Sequence, residues 1–568
     1  MAQPTSVGSD PSLDVTASPS SVAAGWQGDR RRFLGLTGSV AAAGLVLSTS
    51  CFGGGSDEST PTSTAAASET AAATRRGGTL RMGQSGDLSL SAGHPFALVS
   101  QNRILFYAVS ETLVGYGASL TPVPVLAERF EVSADFRRVS ATLKAGVQFH
   151  NGAPVTTDDV AFSVQTLQNP ASAGLPGALQ FELTPVARSI ADIRVVDART
   201  IEFTFDSPRT NAADFFTQLP IAQRTSFKEI AQGNVVGSGP FQLKQWDRNR
   251  GYRLERFANW HGAGSDGKPY LDAIEVSIVP DQTAAMIAFR GGNLDAYLAM
   301  SAPNAVQLRG SGQTRLTGKT GMSYLGVNVT NPLVQDRRVR QAIFYAVNRD
   351  RMVRDAGQGF GSVTTQPWAS TSPAFDPSRE APFYDLPRAR ALLSQAGFQQ
   401  DRELAIEYPA GIPLQELQAQ LLQSDLKAAG IDTRLEAIDG ARFTQRYRAR
   451  EFPDFWLASH LSGDFTPLTL LQQAFEFRAT GNASSFEDSA YAALVRRLET
   501  LAPASADAKD VYRQINQLML ENPFVIPTGI PQVRIDLVQD SVLGWPAAPA
   551  DYSIAPSGKV DFARISLR

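Results

Sequence analysis

Residues 121–167 constrain the fold more than any other stretch, because they predict a strand, a tight turn and a capped helix in quick succession. Residues 139–143 alternate between apolar and polar side chains, which is the period of a half-buried strand. Asn151-Gly152 predicts a tight turn, since both residues tolerate positive φ. Either threonine of residues 156–157 can cap a helix whose first turn carries two aspartates, and the helix dipole favours negative charge at that end. The stretch thus predicts mixed α/β structure, and it contains no nucleophile–base pair and no metal-ligand spacing.

The same stretch resembles the signature of the family 5 solute-binding proteins of ABC importers, the dipeptide-, oligopeptide- and nickel-binding type. That signature reads roughly LAE-x-W-x-V-S-x-D, followed by L-R-x-G-V-x-F-H-D-G-x-P-x-T-A-x-D-V-x-F-S. The residues that match it, in order, are Leu126, Ala127, Glu128, Ser133, Asp135, Leu143, Gly146, Phe149, His150, Gly152, Pro154, Asp159, Val160, Phe162 and Ser163. Three residues depart from it: Phe130 stands in place of Trp, Lys144 in place of Arg and Asn151 in place of Asp.

The resemblance covers about residues 79–530 and implies an α/β fold. The implied architecture is the two-lobed periplasmic-binding-protein type II fold with an extra inserted subdomain in the first lobe. A chain of 568 residues is too long for one compact core, which agrees with several domains. The implied division is 78–117 for the first part of lobe I, 118–233 for the inserted subdomain, 234–322 for the second part of lobe I, 323–523 for lobe II, and 524–568 for the C-terminal part of lobe I.

Residues 1–50 are expected to be a signal peptide of the twin-arginine, lipoprotein type. Residues 29–34 (DRRRFL) resemble a twin-arginine motif, and residues 33–47 form an apolar run of 15 residues. A membrane-spanning helix needs about 20 residues, so this run is short for one. The run leads to LSTSC, which resembles a processing site at which Cys51 becomes the lipidated N-terminus; an incidental thiol is the alternative.

Residues 51–77 are expected to be a flexible linker, since they are almost entirely Gly, Ser, Thr, Ala, Pro and charged residues. Cys51 is the one cysteine of the chain, so no internal disulfide can stabilise the folded part. The formal net charge of −3 gives no indication of binding to nucleic acid or to an anionic membrane surface.

No catalytic or metal-binding motif stands out. The four histidines, His94, His150, His261 and His460, have no H-x-x-x-H or H-E-x-x-H spacing, and neither C-x-x-C nor G-x-S-x-G occurs. Residues 262–268 satisfy G-x-x-x-x-G-K, but a proline follows where a P-loop needs Ser or Thr to hold magnesium. We therefore expect no metal, no cofactor and no enzymatic activity.

The resemblance also indicates where a ligand would bind. In peptide-binding relatives, an acidic residue after a strand of the second lobe pairs with the ligand's amino group, and a second acidic residue commonly precedes a proline. Here Thr466 precedes Pro467, which leaves Asp464 and argues against recognition of an α-amino group. The predicted ligand-binding residues are His94, Phe96, Tyr324, Trp368, Trp456, His460, Asp464 and Phe465. Asp464 could instead be a helix cap or turn residue, and the two tryptophans could be core residues.

Local signals also predict several helix boundaries in the second lobe. Asp336 can cap a helix on which Arg337, Arg338 and Arg340 are expected to be solvated, a ligand role for them being the less favoured interpretation. Residues 385–397 begin with Asp-Leu-Pro and end with Gly, the asymmetry typical of one complete helix.

The sequence therefore predicts a lipid-anchored extracytoplasmic binding protein, a monomer that captures a peptide-sized solute and delivers it to an ABC permease with its ATPase subunits. A secreted hydrolase built on the same fold and a sensor that presents its ligand to a membrane receptor are the two alternatives.

Overall fold

In a computed structural model of the chain, the described residues are 76–90, 94–96, 100–116, 121–176, 183–264, 266–309, 311, 313–368, 372–379, 383–460, 466–546 and 560–568. The predicted signal peptide, nearly all of the predicted linker, Cys51, Asp464 and Phe465 lie outside these residues. Within them, no helix combines the length and the apolar character that a bilayer crossing requires.

The strands, numbered along the chain, are β1 (Thr79–Gln84), β2 (Val114–Tyr116), β3 (Pro122–Pro124), β4 (Ala127–Val132), β5 (Arg138–Leu143), β6 (Ile190–Val195), β7 (Thr200–Phe205), β8 (Phe241–Asp247), β9 (Gly251–Arg256), β10 (Ala273–Ile278), β11 (Ala296–Met300), β12 (Thr314–Val327), β13 (Leu404–Pro409), β14 (Thr433–Ile438), β15 (Phe455–His460), β16 (Val525–Val538), β17 (Val542–Leu543) and β18 (Ser566–Leu567).

The α-helices are α1 (Arg103–Val109), α2 (Thr157–Gln168), α3 (Thr184–Arg188), α4 (Ala212–Gln218), α5 (Gln282–Arg290), α6 (Ala302–Ala305), α7 (Arg337–Ala346), α8 (Arg349–Arg351), α9 (Leu386–Ala396), α10 (Pro413–Ala429), α11 (Gly440–Ala449), α12 (Pro467–Gln473), α13 (Ser489–Leu498) and α14 (Ala506–Glu521).

A ten-stranded mixed sheet runs through the molecule in the order β14-β13-β15-β12-β16-β11-β1-β10-β9-β8. At its centre, β12 and β16 are antiparallel strands of 14 residues each. A separate four-stranded antiparallel sheet, β4-β5-β7-β6, is built from the segment that follows the 121–167 signature.

Four hydrophobic clusters of described residues divide the structure into two lobes. The first lobe contains the largest cluster, which joins α1, β1, β8–β10 and the four-stranded sheet, and a small cluster beneath α5 and α6. The second lobe contains two clusters on opposite faces of β12 and β15, one against α11–α14 and the other, which also includes β13, against α7, α9 and α10. Strand β16 contributes Val525 and Ile526 to the second lobe and Ile535 and Leu537 to the first. The lobes are therefore joined at β12 and β16.

The predicted helix signals are confirmed where they depend on neighbouring residues. Thr156 and Asp159 form a capping box at the start of α2. The Asp336 side chain accepts a hydrogen bond from the Arg338 amide at α7, and Asp385 accepts one from the Arg388 amide at α9.

The prediction that the α7 arginines are all solvated is wrong for Arg340, which is 3% exposed. Its Nε donates to the carbonyl oxygen of Pro523 at 2.8 Å, and its Nη1 donates to that of Val334 at 2.9 Å. Because these acceptors satisfy the guanidinium, the side chain can be buried between α7 and the segment before β16. Burial lowers the pKa of Arg340 to about 10.

Candidate functional site

The two lobes contact each other where α4 of the first lobe faces α12 of the second. Asp214 in α4 is 1% exposed, and its carboxylate accepts hydrogen bonds from the hydroxyls of Thr466 and Thr469. The Thr466 amide donates to the same carboxylate, 3.2 Å from Oδ2, and Tyr116 of the first lobe donates its phenol to Oδ1. One buried acidic group is thus hydrogen-bonded by residues of both lobes.

The residues around Asp214 extend this contact. Asn211 donates through its side-chain amide to Thr469 Oγ1 at 2.8 Å and to Gln472 Oε1 at 3.2 Å. The Thr210 hydroxyl donates to the carbonyl oxygen of Leu498 at 3.0 Å. These bonds place the N-terminal part of α4 against both α12 and the end of α13.

A cluster of buried polar groups lies in the second lobe, where α11 and residues 475–477 pack on β12. The Tyr447 phenol donates to Glu476 Oε2 at 2.7 Å and lies 3.2 Å from the Tyr324 phenol oxygen. Glu476 is 3% exposed, and its Oε1 has no hydrogen-bond partner among the described residues. Burial raises the pKa of the Glu476 carboxyl to about 7.

His460, one of the predicted ligand-binding residues, belongs to the same neighbourhood. It pairs with Met322 across β15 and β12, and its ring lies 5.2 Å from that of Phe477 in an edge-on arrangement and 6.4 Å from that of Tyr324. In the described part of the chain, neither ring nitrogen finds a hydrogen-bond partner. Burial lowers the pKa of His460 to about 3, so the imidazole is neutral at physiological pH.

The two predicted tryptophans lie in the second-lobe core. Trp456 is fully buried, stacks on Phe452 with ring centroids 4.9 Å apart, and lies opposite Gly326 of β12. Trp368 is 2% exposed, and its Nε1 donates to Asn516 Oδ1 at 2.6 Å. Trp456 therefore shares a sheet face with Tyr324 and His460, whereas Trp368 packs against α14.

The first-lobe members of the predicted set, His94 and Phe96, are both buried in or beside the largest cluster. The His94 Nδ1 lies 3.3 Å from the Asn102 side-chain amide, and Phe96 packs on Phe227 with ring centroids 5.7 Å apart. Burial lowers the pKa of His94 to about 4. The structure describes no contact between these two residues and the second-lobe cluster.

A small cavity of about 30 Å³, partly open to solvent, lies in the second lobe between α7, α14 and β16. Phe344, Arg379, Phe477, Met519 and Pro527 are among the residues that line it. None of the six predicted ligand-binding residues that the structure describes lines this cavity.

A carboxylate–histidine pair occurs in the first lobe, and such a pair is one component of a hydrolytic site. Glu111 accepts hydrogen bonds of 3.0 Å from His261 Nε2 and from the indole of Trp260. However, no described hydroxyl bonds to the other ring nitrogen of His261, so the described residues supply no nucleophile for this pair. Within the described residues, no three His, Cys, Asp or Glu side chains are grouped so as to hold a metal ion.

Sequence reasoning missed Asp214, Tyr447 and Glu476. Each is an ordinary helix or loop residue in its local context, and its partners are 29 or more positions away in the chain. The unusual Thr466 before Pro467 was the one available signal, because it marks a departure at the position that Asp214 contacts.

Comparison with known proteins gives the same architecture. Residues 121–481 match the family of bacterial extracellular solute-binding proteins, family 5 (middle region). A probable di/tripeptide-binding protein of Pseudomonas aeruginosa UCBPP-PA14 is 25% identical over 512 residues, which cover 84% of this chain and 92% of that one.

Two solved structures share the fold. One is the periplasmic binding protein DppA of Helicobacter pylori in complex with the peptide STSA, with a TM-score of 0.69, 21% identity, and coverage of 87% of this chain and 98% of that chain. The other is AgaA of A. tumefaciens R10 in complex with agropinic acid, with a TM-score of 0.67, 22% identity, and coverage of 86% and 99%. The predicted two-lobed type II fold is thereby confirmed. Because the family match spans more than half of the 568 residues, the chain belongs to the family 5 bacterial extracellular solute-binding proteins.

Proposed function

We propose that this protein captures one peptide-sized polar solute between its lobes and delivers it unchanged to the permease of an ABC importer. The observation that carries the proposal is the geometry of the two lobes, which have separate cores, meet at Asp214 and are joined at β12 and β16. Clefts between domains are favoured ligand sites, and hinged closure of two lobes buries the ligand.

The second-lobe polar cluster is the proposed solute contact. Glu476 Oε1 and both nitrogens of His460 are buried with no hydrogen-bond partner among the residues that the structure describes, and such groups are costly unless a ligand or water satisfies them. They favour a solute that brings amide, amine or hydroxyl donors. The proposed ligand-binding set remains that of the sequence: His94, Phe96, Tyr324, Trp368, Trp456, His460, Asp464 and Phe465.

The solute's amino group is not expected to be bound at the position before Pro467. Thr466 has no carboxylate, and its hydroxyl and its backbone amide both donate hydrogen bonds to Asp214. A peptide-sized solute without a free α-amino group, or one whose amino group binds elsewhere, fits this arrangement. The names of the relatives agree with a range of solutes, since one relative is named for di- and tripeptides and AgaA was solved with agropinic acid.

The proposed setting is outside the cytoplasm. Removal of residues 1–50 would leave Cys51 as a lipidated N-terminus, and residues 51–77 would tether a monomeric folded body to the membrane near its permease. The alternative of a sensor would replace the permease by a receptor, and the presence of permease and ATPase genes beside this one would separate the two.

The test is to purify the protein from its native host and to count bound small molecules by native mass spectrometry. Denaturation then releases these molecules, and mass spectrometry identifies them. Thermal shift measurements with Ala-Ala and with N-acetyl-Ala-Ala then compare a free with a blocked amino group. We expect one solute per chain, recovered intact, and a shift with the blocked peptide at least as large as that with the free one. Hydrolysis of the bound compound would support the hydrolase instead.

A further inference from the structure

We propose that Asp214 is an interlobe latch, a side chain that holds the two lobes closed in the absence of solute. Part of the free energy of closure then comes from the protein itself and not from the solute. The consequence for solute affinity rests on the proposed function, but the closure itself does not.

The hydrogen bonds from Thr466 and Thr469 to Asp214 cross from one lobe to the other, whereas the one from Tyr116 stays within the first lobe. Asp214 belongs to α4, whose neighbouring side chains Phe215 and Phe216 are buried in the first-lobe cluster. Its partners Thr466 and Thr469 stand at the start of α12, whose leucines are buried in the second-lobe cluster. Separation of the lobes would therefore break these bonds.

The contact excludes water. Asp214, Thr466 and Thr469 are each 4% exposed or less, and Asn211 is 5% exposed. Burial raises the pKa of the Asp214 carboxyl, while the hydrogen bonds from Thr466, Thr469 and Tyr116 act in the opposite direction. Within the described part of the chain, no lysine or arginine forms an ion pair with Asp214, so its compensation comes from hydrogen bonds. A buried polar group that loses its hydrogen bonds without gaining hydration incurs the full desolvation cost. A half-open state that kept this region dry would thus be strongly disfavoured.

The latch has a second row of bonds beside it. Asn211 donates to Thr469 and Gln472, and Thr210 donates to the Leu498 carbonyl. Both donors immediately precede α4, so the row is continuous with Asp214. The contact between the lobes therefore has two states: either all of these hydrogen bonds are formed, or the lobes are apart and water solvates both surfaces.

A ligand changes such an equilibrium only through its different affinity for the two forms. If the latch already populates the closed form, less of the solute's binding free energy is used to close the lobes, and the solute binds more tightly. Loss of the latch should therefore weaken binding without any change in the solute's own contacts.

The experiment measures the interlobe distance in the solute-free protein. The full chain carries Cys51→Ser, so that cysteines introduced at the exposed positions Asp192 in β6 and Lys509 in α14 can take spin labels alone. Bound solute is removed by unfolding in guanidinium and refolding, and its absence is checked by mass spectrometry. Pulsed electron resonance then gives the distance distribution.

We expect a short-distance population in the parent protein that Asp214→Asn and Thr469→Val each reduce at least threefold, with a longer distance in its place. Thr217→Val is the matched control, because its hydroxyl bonds within α4, to the Asp214 carbonyl oxygen, and should leave the distribution unchanged. Thermal unfolding followed by circular dichroism checks that every variant is folded; the two latch variants act from opposite lobes, so one can serve if the other fails.

The proposal is overturned if the distances of both latch variants equal those of the parent, or if the solute-free parent already shows the long distance alone. Failure of the proposed function would appear differently, as the absence of any co-purified or added solute from the native mass spectrum, and would leave the distance measurement valid.

Discussion

The Tyr447 phenol donates a 2.7 Å hydrogen bond to Oε2 of Glu476, a carboxyl group that is 3% exposed and that has no cation paired with it among the described residues. Burial is the largest influence on this carboxyl and raises its pKa to about 7, while the hydrogen bond from Tyr447 acts in the opposite direction. The group therefore titrates near neutrality inside the second lobe, next to residues proposed to contact the solute.

Replacement of Glu476 by Gln should remove a pH dependence of stability. Because the folded-state pKa is raised from its ordinary value of 4.5, the folded protein binds this proton more tightly than the unfolded chain. The stabilisation is complete below pH 4.5 and is lost as the pH rises through about 7. We expect the free energy of unfolding of the parent protein to lose up to about 3 kcal/mol from this group between pH 5 and pH 8.

Chemical denaturation of the parent and of Glu476→Gln at pH 5 and pH 8 measures this difference. Glu451→Gln, at an exposed position, is the control and should follow the parent at both pH values. If the free energy of unfolding changed equally between pH 5 and pH 8 in the parent and in Glu476→Gln, the carboxyl would not titrate in this range.

His460→Leu removes a group whose contribution to the free energy of unfolding changes with pH in the opposite direction to that of Glu476. The folded-state pKa of His460 is lowered to about 3, so its contribution to stability is complete above the ordinary value of 6.5 and is lost as the pH falls from there towards 3. Since neither ring nitrogen is bonded to a described residue, leucine should also relieve a desolvation cost of about 1–3 kcal/mol at pH 7. We expect a variant that is more stable, with an advantage that grows from pH 7 to pH 4, and that binds the solute less well. An advantage independent of pH would contradict the buried, neutral imidazole.

The helix caps could be predicted from the sequence because each depends on residues a few positions apart. Asp336 and Asp385 accept from amides two and three residues later, and the energies involved are local. Strand alternation at residues 139–143 was equally visible, since one face of β5 is buried on the four-stranded sheet.

The site was less predictable because its contacts are remote in sequence. Asp214 lies 255 positions from Thr469, and nothing in the local pattern of α4 distinguishes it from a solvated first-turn acid. Likewise, the sequence pattern of α7 places Arg340 among polar residues that would be solvated. Its burial depends on carbonyl groups of Pro523 and Val334 that only the tertiary fold brings together. Resemblance supplied the fold and the family, whereas these polar partners had to come from the structure.

Arg340→Met should destabilise the second lobe, since it leaves the carbonyl oxygens of Pro523 and Val334 buried without donors. Each unsatisfied group costs about 1–3 kcal/mol, so we expect a total loss of about 3 kcal/mol in the free energy of unfolding. Arg338→Met is the matched control on the same helix: its guanidinium is exposed and pairs with Asp336, and exposed ion pairs contribute about 1 kcal/mol or less. Urea titration of both variants at pH 7 makes the comparison, and similar losses would mean that Arg340 is not buried.

Gly326→Ala should displace Trp456. A Cβ atom at position 326 would lie 2.1 Å from Cε2 of the Trp456 indole, which is fully buried and stacked on Phe452. Because the ring cannot move without disturbing Phe452, we expect overpacking to cost about 1–3 kcal/mol. Trp456→Leu alone should also be destabilising, through the cavity that it leaves.

The combination of Gly326→Ala with Trp456→Leu separates overpacking from a general intolerance of β12 to substitution. If the clash is the cause, the smaller leucine makes room for the new methyl group, and the double variant should lose less stability than the sum of the single variants. Gly440→Ala, where a Cβ atom would meet nothing within 4 Å, is the control and should be nearly neutral. Additive losses in the free energy of unfolding, measured by urea titration, would instead indicate that Gly326 is required for the conformation of β12 itself. The close packing of Trp456 against that strand would then not be the reason for a glycine at this position.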